Sequence, residues 1–98
     1  MTENRFPPPK SLASSRSFKN YLSKCFPHDT ITHTSGYHYC SGFIRRGKKV
    51  VYYNSGDFRC SGRGLMIRSA RDEHDFSGDS NIWPTVDKLA STIDRLLS

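Results

Sequence analysis

An α+β fold two layers deep, in the order α-β-β-β-α, is the architecture the sequence predicts. Three observations lead to it. Residues 37–70 alternate aromatic and β-branched runs with turn chemistry, while residues 15–26 and residues 84–98 flank them with apolar side chains at helical spacing. A three-stranded antiparallel sheet would then carry both helices on one face. The 98 residues suit one domain, with residues 1–10 as a flexible Pro-rich leader and residues 11–98 as the folded unit.

The first helix is expected over 15–26, where Phe18, Leu22 and Cys25 fall at i, i+4 and i+7. Pro27 closes it, because the residue before proline is pushed out of the α region. Residues 27–36 read as a polar connection or a weak edge strand. Strands follow at 37–44, 50–53 and 65–70. The first of these sends Tyr37, Tyr39 and Phe43 one way and His38, Cys40 and Ile44 the other. Its far face is expected to meet solvent or a partner.

Between the first two strands lies Arg45-Arg46-Gly47-Lys48-Lys49, where glycine can supply the positive φ of a tight hairpin and present cations around one turn. Asn54-Ser55-Gly56-Asp57 and Cys60-Ser61-Gly62-Arg63-Gly64 read as turn and loop. Residues 71–82 are polar and acidic, again a loop. Pro84 suits the first turn of the last helix, along which Val86, Leu89, Ala90, Ile93, Leu96 and Leu97 share a face. Trp83, just ahead, is expected to staple that helix to the core.

Charge is uneven. Residues 1–50 hold nine Lys or Arg against Glu3 and Asp29, a balance of +7, whereas residues 51–98 sum to −1. A basic half of this kind draws nucleic acid or an acidic protein surface. The candidate contact residues are Arg45, Arg46, Lys48, Lys49, Arg59 and Arg63, with Tyr37 and Tyr39 offering rings on which bases or side chains could stack. Tyr52 and Tyr53 could add to that surface.

The α-β-β-β-α order is also that of the double-stranded-RNA-binding fold. That family opens its second helix with glycine and a Ser-Lys-Lys run, where this chain has Asp79-Ser80-Asn81-Ile82-Trp83-Pro84-Thr85. Topology alone carries no function.

Cys25, His28, His33, His38, Cys40 and Cys60 are soft or borderline ligands, yet they lack the two tight pairs of a structural zinc site, so no metal and no cofactor is expected. His74 among Asp72, Glu73 and Asp75, or Cys60 beside arginines, names no full set of nucleophile, orienting group and oxyanion donors. Gly62-x-Gly64 precedes a strand rather than opening a helix, unlike a phosphate loop. No enzyme and no small-molecule substrate are expected. Three cysteines cannot all pair within one chain, which points to a reducing cytoplasm, and no run reaches the roughly 18 apolar residues of a membrane span.

These features imply a small non-enzymatic binding protein that contacts nucleic acid or a nucleic-acid-binding complex through a basic sheet-turn surface. The other class they admit is a protein–protein inhibitor or adaptor of the compact kind phages encode, anti-CRISPR proteins among them, which blocks a host effector.

Overall fold

The computed structural model describes residues 14–60, 64–75 and 80–98; the leader at 1–10 and Arg63 lie outside them. Helix α1 (Ser15–Cys25) starts on Ser14, whose extended backbone and side-chain oxygen cap the first turn. Ser14 Oγ accepts from Ser17 N at 3.1 Å while Ser17 Oγ accepts from Ser14 N at 3.3 Å, a reciprocal cap that satisfies donors a helix start leaves orphaned. Phe18, Tyr21 and Leu22 are buried, and the helix stops at Phe26 ahead of Pro27, as its spacing predicts.

Four strands follow rather than three. They are β1 (Thr30–Ser35), β2 (Cys40–Arg46), β3 (Lys49–Asn54) and β4 (Met66–Ala70), joined as an antiparallel meander in the order β1-β2-β3-β4. The additional strand is the polar segment read as a connection or weak edge. Because β1 pairs with β2 from Thr30↔Arg45 to Ser35↔Cys40, the chain must reverse between them, and Tyr37 and His38 are consumed by that reversal instead of lengthening β2. Gly36 N donates to Tyr39 O at 2.8 Å across the turn. The expected strand therefore begins three residues late, at Cys40.

Register sorts the side chains into two faces. Ile31, Ile44 and Val51 form one row, and His33, Gly42, Tyr53 and Ile67 the next. This face meets both helices in a single core with Phe18, Leu22, Phe26, Leu89, Ile93 and Leu97, each burial contributing about 1.5–3 kcal/mol. Gly42 has no room for a side chain there: a Cβ would stand 2.1 Å from Thr32 O and 2.6 Å from the Tyr53 hydroxyl.

The opposite face is not simply open. Its middle row is Thr32, Phe43, Tyr52 and Arg68, with Phe43 and Tyr52 ring centroids 5.1 Å apart and the Arg68 guanidinium 4.7 Å above Tyr52. Phe43, Val50 and Arg68 are buried. The segment after β4 turns back beneath them, and Arg68 Nη2 donates to Asp75 O. Ile82 then closes the outer edge of β4, exchanging backbone hydrogen bonds with Ile67 at 2.7 and 2.8 Å.

The last helix is shorter than its apolar periodicity suggests. Val86–Lys88 is a 3-10 turn, closed by Lys88 N on Thr85 O at 3.0 Å, and α2 spans only Leu89–Leu97. Pro84 stays outside. Trp83 is 64% exposed and staples nothing to the core, since Ile82 makes the edge pairing beside it and its neighbour projects away. No helix among the described residues is long and apolar enough to cross a membrane.

Candidate binding surface

The hairpin forms as the sequence predicts, with Arg46 opposite Lys49 and Gly47 at φ 61° between them. Its cations do not converge. Arg45 and Arg46 are consecutive residues of one strand, so they project to opposite faces of the sheet. Arg45 grips Glu73 with two bonds, Nε to Oε2 at 2.6 Å and Nη2 to Oε1 at 2.8 Å. Arg46 reaches Asp29 at 2.9 and 3.0 Å and Asp94 at 3.1 Å. The hydrogen bonds raise both arginines above their ordinary range and hold Glu73 below that of a free carboxylate.

Lys48 and Lys49 are exposed and make no ion pair among the described residues, so they are the cations this turn leaves to solvent. Arg59 belongs to the other end of β3, about 17–20 Å away at roughly 3.3 Å per residue. It chelates Asp57, Nε to Oδ1 at 3.0 Å and Nη2 to Oδ2 at 2.7 Å, and holds that carboxyl at about 2.

Around Arg59 the structure builds the feature that sequence reasoning glimpsed only in part. Tyr37, His38 and Tyr39 from the β1–β2 turn, Tyr52 and Asn54 from β3, and Asp57 and Arg59 after it line an open groove of about 770 Å³. Its floor is the end of the second sheet face. Phe58 N donates to His38 O at 2.7 Å, tying the 3-10 turn Phe58–Cys60 to the β1–β2 turn. Asn54 Oδ1 accepts from Gly56 N at 2.8 Å and its amide donates to the Tyr52 hydroxyl at 3.2 Å. Tyr39 packs over Gly36 so closely that a Cβ there would lie 2.2 Å from its ring.

Tyr37, by contrast, is 99% exposed. Tyr53 faces the helices and is fully buried, so it lies on the wrong side of the sheet to join these rings. The groove is thus aromatic, anchored by hydrogen bonds, and carries its one arginine already matched by an acid.

A second cluster invites a catalytic reading. Ser15 Oγ lies 2.7 Å from His33 Nε2, and His33 Nδ1 lies 2.5 Å from the Tyr53 hydroxyl, the linear order of nucleophile, base and orienting group. The third member argues against that chemistry. A carboxylate accepts Nδ1–H and leaves Nε2 free to take a proton. Tyr53 is a hydroxyl instead, and burial pushes its ionisation well above the ordinary tyrosine value, so it stays neutral and offers His33 no negative charge with which to hold an imidazolium. On the other side of the ring Ser15 Oγ continues the chain to Ser35 Oγ at 2.5 Å. This relay ties α1 to β1 and β3.

Cys25 and Cys40 are free thiols, both raised by burial, the opposite of an activated cysteine. Among the described residues, no three His, Cys, Asp or Glu side chains are placed to hold a metal ion. Comparison with known proteins returned no matching family model, curated protein or solved structure.

Proposed function

We propose that the chain is a small non-enzymatic binding protein, an inhibitor or adaptor, that engages a protein partner through the aromatic groove. The observation that carries this reading is Tyr37, 99% exposed beside a groove of about 770 Å³. Tyrosine and arginine are, with tryptophan, the residues enriched in interface hot spots, and tyrosine buries large amphipathic surface with little side-chain entropy to lose. Pairing with Asp57 pre-organises Arg59 and lowers the net charge a partner must desolvate. Free Cys25 and Cys40 suit a reducing cytoplasm.

The test is affinity capture from nuclease-treated host extract with the full chain and with Tyr37→Ala/Tyr39→Ala. The reading expects one stoichiometric protein that survives nuclease and is lost with the double variant. Recovery abolished by nuclease, or unaffected by the tyrosine substitutions, would contradict it.

Nucleic-acid contact is the second reading, supported by the +6 net charge and by Lys48 and Lys49 at the hairpin tip. With Arg45 and Arg46 already engaged, those two lysines are what the hairpin itself contributes. Lys48→Ala/Lys49→Ala should then lower the slope of log affinity against log salt by about two.

A further inference from the structure

The sheet has two edges, and they are finished differently. On β4 the outer edge receives Ile82 through both of its backbone hydrogen bonds. β1 has only β2 as a neighbour, so its other side is open among the described residues. Proteins ordinarily blunt such an edge with lysine, proline or a bulge. Thr-Ile-Thr-His-Thr-Ser contains neither lysine nor proline, and its register with β2 runs from Thr30↔Arg45 to Ser35↔Cys40 without a skipped residue.

Beside this edge α1 supplies cations and no acid: Arg16, Lys19 and Lys24 in Ser15–Cys25. Ser15 touches both His33 and Ser35, which fixes the helix along β1. Lys19 follows Ser15 by four residues and so lies on the same flank one turn on, close enough for its charge to add to burial in lowering the pKa of His33. Arg16 is adjacent. Arg16 and Lys19 are exposed and in no ion pair among the described residues.

These features choose among occupants. A second copy pairing β1 with β1 would lay α1 beside α1 on one face and set Arg16 and Lys19 against their own equivalents. Like charges so placed oppose association. An extended acidic segment completes the same backbone ladder, and carboxylates on alternate residues come to the helix side, where the cations are.

We propose that the free edge of β1 accepts an extended acidic segment of a partner protein as an added strand, with Arg16 and Lys19 reading its carboxylates. This goes beyond the groove, from which it is separable by mutation. The probe is a terminally blocked octapeptide alternating glutamate with valine, titrated into the isotopically labelled full chain and followed by amide chemical shifts.

The largest shifts should fall on residues 30–35. A lysine-for-glutamate peptide, and a glutamate peptide N-methylated at alternate residues, should each bind at least about tenfold more weakly. Arg16→Glu/Lys19→Glu, both at exposed positions, should reverse the preference between the acidic and basic peptides. Tyr37→Ala/Tyr39→Ala should leave it unchanged. Shifts centred on the groove or the hairpin tip, equal affinity for the basic peptide, no binding by the full chain, or a concentration-dependent dimer that protects residues 30–35 would each overturn the proposal.

Discussion

Arg68 carries its charge into a site where 2% of its surface meets water, with the Tyr52 ring beneath the guanidinium and Asp75 as the acid that faces it. Asp75 accepts from Arg68 through its carbonyl and sets its carboxylate 3.8 Å from Nη1, while the same carboxylate accepts from Arg71 N at 3.0 Å. Removing one partner of a buried pair strands the other. Asp75→Ala is therefore expected to destabilise the fold by about 3 kcal/mol in urea denaturation, more than the bare contact is worth. His33 makes a pH-dependent counterpart. Burial and Lys19 lower its folded pKa beneath the unfolded value of 6.5, so the unfolded chain binds the proton more readily. Stability should be full above about pH 6.5 and fall as pH drops through the lower, folded value. His33→Gln should flatten that limb, and a chemical-denaturation series against pH reads both.

Helix α1 and the hairpin were legible because each has a local code: apolar spacing closed by Pro27, and a glycine between two strand-forming runs. Ser14 adds a cap whose loss is separable from packing, and Ser14→Ala is expected to lower stability by about 1 kcal/mol by the same denaturation assay. β1 was harder to read. Its inward positions are Ile31, His33 and Ser35, of which only Ile31 is apolar, and what holds the strand is its pairing with β2 and a hydrogen-bond relay through His33. Neither leaves a hydrophobic period. Residues 84–88 misled in the opposite sense, since Val86 extends the stripe of α2 while the backbone there closes a 3-10 turn on Thr85.

Charge composition describes the whole molecule poorly once the chain is folded. The first half's excess reads as a single positive field, yet Arg45 and Arg46 leave the hairpin toward opposite faces. Arg46 is held by Asp29 and Asp94 and Arg45 by Glu73, acids drawn from both halves of the chain. Strand alternation was legible in the adjacency of the two arginines; the positions of their acids, up to 48 residues away, were not. The groove was half legible for a similar reason. Tyr37 and Tyr39 declare themselves by type, but their meeting with Arg59 depends on the meander returning β3 to the same end of the sheet. Calorimetric titration of the captured protein partner against paired variants weighs the two surfaces directly. Tyr37→Ala/Tyr39→Ala should weaken binding by about 30-fold or more, while Lys48→Ala/Lys49→Ala stays within about threefold at moderate salt. The reverse ranking, with the lysines dominant and the tyrosines silent, would move the binding surface to the hairpin and contradict the aromatic groove.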